Sequence, residues 1–383
     1  MRYRWTILGV GILAQASGSA LLFGVAVLAP ALRERYQLSL SEIGLALAAA
    51  SLGAIPSLLP WGLLADRIGE RIVIALGLSG AAGTLAGAAF APSFGALVAL
   101  LVLAGALSSS VNAASGRAVM HWFGPEERGL ALGLRQTAIP LGGLFASLLL
   151  PPIVSGGGLE AAFLTLGGFC LGAAVAGAVW MRESPSGAAG VTLASARHPL
   201  GDHRMWRLAM ASAFLLVIPL TVGGFTVVFL HSHHGWSTGA AAAVLAGGQL
   251  LGALGRIGFG RWSDHLGSRV LPMRWIGLAL TLAVAVTALV VDAPGYVLVP
   301  ALVVAVGLGM SWNGLSFTAA AELAGHARSG AALGFQQTVL SCAGAAVPPA
   351  FAAFVASSSW RAGFAAVAAC PLGAVYLLRR LQV

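Results

Sequence analysis

The chain has 383 residues, 58% of them hydrophobic and only 9% charged. A soluble globule carries about a quarter charged residues, so this composition excludes a water-soluble domain and requires nearly the whole chain to sit in lipid or against lipid-embedded segments. The formal charge of +9 raises a nucleic-acid partner, but every basic side chain is arginine, and where the arginines fall gives the excess another meaning.

A membrane-spanning helix needs roughly 17 to 25 mainly apolar residues. The charge-free interval 5–32 supplies the first. Met1-Arg2-Tyr3-Arg4-Trp5 followed by Ala14-Gln15-Ala16 imitates a signal peptide with its cleavage site, but the apolar run continues to Leu32 and reads as an uncleaved helix. The interval 43–65 is the second span, with Pro56 and Pro60 expected to kink it. The interval 72–116 holds two spans, parted by the turn signal Ala91-Pro92-Ser93-Phe94-Gly95. The second of these, helix four, runs on through Asn112 and Arg117 to Trp122, and helix five from Gly129 to about Pro152. Further intervals at 136–159, 161–181, 208–230, 235–255, 275–291, 293–321, 329–360 and 362–378 bring the total to twelve.

Between the sixth and seventh spans the composition turns to Ser, Pro, Gly, Ala and His. The expected organisation is therefore a six-helix unit over 1–183, a linker over 184–204 and a second unit over 205–383. His231-Ser-His-His-Gly235 reads as a solvated turn between helices seven and eight rather than a metal site, having no acidic neighbours. Cys170, Cys342 and Cys370 form neither a disulfide framework nor a metal-ligand spacing. No metal and no cofactor are expected.

Following the alternation of spans, fifteen arginines fall on the side of the N-terminus and only Arg33, Arg35 and Arg361 on the other. That bias predicts both termini in the cytoplasm and a protein of the cytoplasmic (inner) membrane. It makes anionic membrane lipid, not nucleic acid, the partner of the basic excess.

One stretch occurs twice. Gly62-Leu-Leu-Ala-Asp66-Arg67-Ile-Gly69-Glu-Arg71 is echoed by Gly260-Arg-Trp-Ser-Asp264-His-Leu-Gly267-Ser-Arg269, an offset of 198 residues. A second anchor aligns Leu132-Gly-Leu-Arg135-Gln136-Thr137 with Leu333-Gly-Phe-Gln336-Gln337-Thr338 at an offset of 201, which also pairs Asn112 with Asn313. The G-x-x-x-D-x-x-G-x-R loop resembles the signature of the major facilitator superfamily, found between helices two and three and echoed between helices eight and nine. The resemblance implies an all-α membrane protein of twelve helices in two pseudo-symmetric six-helix bundles, with a binding site near the midplane between them. It also implies a gating role for the loop network, Asp66, Arg67, Arg71, Asp264 and Arg269 with Arg128 at the neighbouring loop, holding the cytoplasmic side closed, and a chain that acts as a monomer.

An ionisable side chain inside a membrane helix is costly unless paired or hydrated, so each is a functional candidate. Arg117, Arg135 and Arg256 are three, and no carboxylate lies in the middle of any span. Such a cavity is net positive, and a guanidinium fork matches a carboxylate or similar oxyanion. Gln249, two turns before Arg256 on the same helical face, and Gln136, Gln337, Asn112 and Asn313 complete the candidate substrate-binding set. His121 is a candidate proton carrier one turn after Arg117. Gly255-Arg256-Ile-Gly-Phe-Gly260 resembles the helix-eight arginine of monocarboxylate-, oxalate- and nitrate-type members, which contacts the anion. The bland reading is that all three arginines snorkel to the interface or bind helix-end carbonyls. The expected function is secondary transport of a small organic anion, a monocarboxylate first, by alternating access, with proton symport open. A proton-driven exporter of amphipathic compounds is the alternative. The chain shows no nucleophile–base pair in its core that would make it an enzyme.

Overall fold

In lipid a backbone must satisfy its N–H and C=O groups within its own segment, and the chain does so with helices. The computed structural model describes residues 3–123, 125–182, 201–325 and 329–381. The side chains of Asp66, Arg117, His121 and Arg128 lie outside the described residues, as does most of the predicted linker. In chain order the helices are α1 (Tyr3–Tyr36), α2 (Leu40–Ala89), α3 (Phe94–Ser108), α4 (Ser110–Trp122), α5 (Pro125–Gln136), α6 (Ala138–Trp180), α7 (His203–Ile218), α8 (Gly224–His234), α9 (Thr238–Leu266), α10 (Val270–Leu289), α11 (Gly295–Ser311), α12 (Asn313–Ala324), α13 (Ser329–Ser357), α14 (Trp360–Ala368) and α15 (Cys370–Leu378). A π-helical turn, Pro219–Gly223, joins α7 to α8.

Eleven helical stretches among the described residues are long and apolar enough to cross a membrane. One of them, Gly133–Trp180, has 48 residues. At about 1.5 Å per residue that is more than twice a hydrocarbon core of about 30 Å. It turns back at Gly158, whose φ of 71° breaks the helix, so it crosses twice and the total is twelve. The same device separates spans two and three within α2, at Gly69 (φ 82°), while Gly267 (φ 58°) ends α9 before span nine. Gly69 and Gly267 are the second glycines of the two repeated motifs. Both hold backbone conformations that glycine enters without the steric penalty of a Cβ, which is why the duplicated loop carries glycine there. The repeat extends to the opposite face, where Ser39 and Ser237 cap α2 and α9. Pro56 and Pro60 are accommodated within helical backbone.

Five spans depart from the expected continuous helices. Span four is interrupted at Ser109, between α3 and α4, span five at Thr137, between α5 and α6, span ten at Trp312, between α11 and α12, and span twelve at Ala369, between α14 and α15, while span seven carries the π-helical turn. Backbone at the breaks stays near helical and largely hydrogen-bonded, with Ser109, Thr137 and Trp312 each in a bond to a residue three or four positions away. The histidine triplet also differs from expectation. It forms the last turn of α8, closed by Gly235 at φ 70°. There His231 bonds the Trp236 carbonyl, His233 the Asp292 carboxylate at 2.8 Å and His234 the Val291 carbonyl at 2.8 Å. The pattern missed Asp292 and Val291 because they come from the distant turn after α10.

Two six-helix bundles, α1–α6 and α7–α15, meet along α2/α13, α6/α9 and α1/α8. Twelve crossings put both termini on one face. Toward the opposite face the bundles touch: a Cβ at Gly44 would lie 2.7 Å from the Ala352 Cβ and 2.8 Å from the Pro348 carbonyl oxygen. Toward the terminus-bearing face they part around a cavity of about 1570 Å³, reached past Leu59, Leu63, Ala331 and Gly334.

Candidate functional site

Arg135 occupies the last turn of α5 and is 5% exposed. Its Nε donates to Ser115 Oγ of α4 at 2.8 Å and its Nη2 to Gln15 Oε1 of α1 at 3.0 Å. Arg256, in the middle of α9 and 7% exposed, donates from Nε to the Met310 carbonyl at 2.6 Å and from Nη1 to the Gln136 carbonyl. Gln136 is the last residue of α5 and Met310 the penultimate residue of α11. Arg256 therefore sits against the C-terminal ends of two interrupted helices, one from each bundle. Those ends carry unsatisfied carbonyls and the negative pole of the helix dipole, which explains how a cation is kept there without a carboxylate.

The helix-end reading of Arg256 is thus correct for one side of the guanidinium. It does not exhaust it. A guanidinium has five N–H donors, and each arginine makes two hydrogen bonds to protein. Neither makes an ion pair among the described residues. Both line the 1570 Å³ cavity, next to one another in the sense that the Gln136 peptide follows Arg135 and receives Arg256. The site is a pair of cations from opposite bundles whose remaining donors face a common space.

Of the other predicted residues, Gln136, Asn112, Asn313 and Gln337 line the same cavity. Gln249 does not. It is fully buried on α9 against Gly143 of α6, where a Cβ would meet its amide at 2.5 Å, and both amide atoms lack a partner. The call on Arg117 as a site residue falls on a side chain outside the described residues, as do those on Asp66 and Arg128. Arg67 and Arg71 are exposed. The second motif copy forms a network: Arg269 binds Asp264, Ser263 Oγ at 3.1 Å and Glu322 Oε1 of α12 at 3.1 Å. In the first half Arg4 of α1 grips Glu127 of α5 with two bonds, 2.6 and 2.9 Å.

The residues that sequence reasoning missed are the partners. Ser115 and Gln15 hold Arg135, and in the second half Gln336 of α13 donates from Nε2 to Ser212 Oγ of α7 at 3.1 Å and to Ser316 Oγ of α12. A usable signal existed, since the 201-residue offset that pairs Arg135 with Gln336 also pairs Ser115 with Ser316.

Comparison with known proteins extends this picture. The family model described as "Major Facilitator Superfamily" matches residues 8–348. An uncharacterised MFS-type transporter of Mycobacterium tuberculosis is 37% identical over 380 residues, 98% of this chain and 84% of that one. A probable sulfoacetate transporter of Cupriavidus necator is 30% identical over 187 residues, 48% of this chain and 43% of that one. Among solved structures, a bacterial homologue of the human lysosomal transporter Spinster, inward-facing and occupied, superposes with a TM-score of 0.77 at 17% identity over 99% of this chain and 96% of that one. The human organic anion transporter MFSD10 gives 0.78 at 18% over 98% and 99%. With its duplicated bundles and a polar site between them, the chain is an integral membrane transporter belonging to the major facilitator superfamily.

Proposed function

We propose that this transporter carries a small organic anion, with monocarboxylates the first class to test. The observation that supports it is the pair Arg135 and Arg256, buried, lining one cavity from opposite bundles and without a carboxylate among the described residues. Charge-assisted, bidentate bonds from guanidinium to a carboxylate-like oxyanion are the strong kind, and an anion bound between the two would neutralise both bundles at their seam. That neutralisation favours closure of the bundles around the occupied site, and reopening on the other face completes alternating access. The likeness to a probable sulfoacetate transporter over half the chain points to the same ligand chemistry. The fifteen-arginine face is the cytoplasmic one on this reading, so both termini are cytoplasmic, the membrane is the inner one and the cavity is inward-open. Asp264 with Arg269, and Asp66 with Arg67, Arg71 and Arg128, act as the inner gate. The chain works as a monomer, and a proton is co-transported if uptake responds to an inward proton gradient.

The mostly apolar wall, including Phe23, Leu47, Leu58, Ile139 and Phe317, favours the second reading, export of amphipathic compounds. One experiment separates the two. Uptake of labelled lactate, pyruvate, oxalate, formate and nitrate into proteoliposomes is measured with and without an inward proton gradient, for wild type and Arg256→Gln. Saturable uptake that is lost in the variant is expected. Transport of lipophilic cations by both proteins, with no anion uptake, would overturn the anion reading.

A further inference from the structure

The wall of the cavity carries polar groups that the arginines leave unexplained. Asn313, 9% exposed, is the first residue of α12, just past the break in span ten. It makes no hydrogen bond among the described residues, and its Oδ1 is buried without a partner. The indole Nε1 of Trp312, the residue at the break, is also buried and unpartnered, and Trp312 lines the same cavity. In the first half Asn112, 201 residues before Asn313, is partly buried, lines the cavity from α4 and has no side-chain hydrogen bond among the described residues. Buried polar groups are nearly always hydrogen-bonded, and each one that is not calls for an explanation.

These groups lie close to the charge. Met310, whose carbonyl anchors Arg256, precedes Asn313 by three residues, a rise of about 4.5 Å along the span. Arg256, Trp312 and Asn313 line one cavity, so a ligand whose oxyanion takes the free donors of Arg256 shares that space with Trp312 and Asn313. The chemistry offered there is neutral. The indole N–H only donates, and an amide accepts through its oxygen and donates through its nitrogen. A hydroxyl is the small group that meets both needs, accepting from the indole while donating to the amide oxygen. A methyl or methylene in that place leaves both protein groups buried and unpaired.

We propose that Trp312, Asn313 and Asn112 form a hydroxyl-recognising subsite beside the two arginines, so that the transported anion is a hydroxy acid rather than a plain carboxylate. The inference rests on the anion reading and narrows it. Sites built to bond a hydroxyl reject the analogue lacking it far more strongly than an apolar pocket rejects an extra methylene.

The test uses matched pairs differing by one hydroxyl. Uptake KM is measured in proteoliposomes for labelled lactate and propionate, and thermal stabilisation of the purified protein for glycolate against acetate and malate against succinate. The expected wild-type result is a KM at least about tenfold lower for the hydroxy acid. Asn313→Leu, close in size and apolar, should bring the ratio to within about twofold. Asn112→Leu, at a less buried position, should lower the ratio by a smaller factor and serves if Asn313→Leu does not fold. Equal KM values within each pair for the wild type, or a ratio unchanged in both variants, would overturn the subsite while Arg256-dependent uptake still upheld the anion reading. Absence of uptake and of stabilisation for every acid, with Arg256→Gln indistinguishable from wild type, would overturn both.

Discussion

The two bundles hold corresponding three-helix polar clusters, and only one of the two carries a charge. In the first, Arg135 binds Ser115 and Gln15. In the second, Gln336 binds Ser316 and Ser212. Arg135 and Gln336, and Ser115 and Ser316, are each 201 residues apart, and in each cluster the third partner comes from the first span of its bundle. Duplication has preserved the scaffold while the charge stands on one side only. The arginine lines the cavity, whereas the glutamine is fully buried and does not. The second bundle places its own cation elsewhere, at Arg256 on α9, where it reaches across the seam. The site is thus asymmetric in the placement of its charges although built from symmetric parts.

The comparison is broken most severely by making the clusters alike in charge. Gln336→Arg puts a cation where no cavity or carboxylate receives it, and a charge in the middle of a membrane helix costs about 2.5–3.5 kcal/mol on insertion scales. A large fall in melting temperature and in monodisperse yield is expected. The reverse change, Arg135→Gln, should leave the melting temperature near that of the wild type, because the first cluster then copies a neutral one the fold already contains. A melting temperature of Gln336→Arg equal to the wild type would show that water reaches α13 and that the asymmetry has no energetic basis.

The same reverse change tests function. Hydrogen bonds to charged groups contribute about 1.5–3 kcal/mol, so Arg135→Gln should raise the uptake KM for the anion by roughly ten- to a hundredfold. Arg135→Lys keeps the charge and loses the planar fork, so it should recover only part of the affinity.

How far this arrangement was legible in the sequence differs from residue to residue. The twelve spans follow from the charge-free intervals, because lipid imposes length and apolarity on each one separately. The bundle duplication follows from the motif glycines, since Gly69 and Gly267 each need a positive φ. The breaks at Ser109, Thr137 and Trp312 are harder to read. They fall in short polar stretches, Ser108-Ser109-Ser110, Arg135-Gln136-Thr137 and Ser311-Trp312-Asn313, which unbroken membrane helices also contain, and only Thr137 has a proline, Pro140, within the next turn. Gln249 shows the limit of helical periodicity. Its place two turns from Arg256 puts it on the same face, but periodicity does not say whether that face meets a cavity or a neighbouring helix at that depth. It meets α6.

That contact has its own counterpart. Gly143 receives Gln249 across the α6/α9 seam, and 201 residues on, Gly344 receives Ser51 across the α2/α13 seam, where a Cβ would lie 2.4 Å from the Ser51 hydroxyl. Ser51 lines the cavity, while Gln249 is sealed with both amide atoms unpaired. An unsatisfied buried group costs about 1–3 kcal/mol, which disfavours this closed seam. Gln249→Leu should raise the melting temperature and slow turnover by deepening the state closed toward the opposite face. A lower melting temperature would mean that the amide is bonded in this state.

The smallest effect is expected at that opposite face, where the two bundles again differ. The first is tied by a lone pair, Arg35 with Glu160 at 3.1 Å, and the second by a three-membered cluster in which Asp292 accepts from His233 at 2.8 Å and Arg361 at 2.7 Å. Bonds from His233 and then Arg361 hold the Asp292 carboxyl below its ordinary range. A carboxylate depressed in the folded state stabilises above its unfolded value, near 3.9, and that contribution disappears as pH falls through the lower folded value. The cluster is solvated, so the shift in melting temperature is small. Wild type and Asp292→Asn should differ by a constant small amount from pH 5 to 6 and converge below about pH 4. A difference that persisted unchanged well below pH 4 would mean that the charge of the Asp292 carboxylate is not its source.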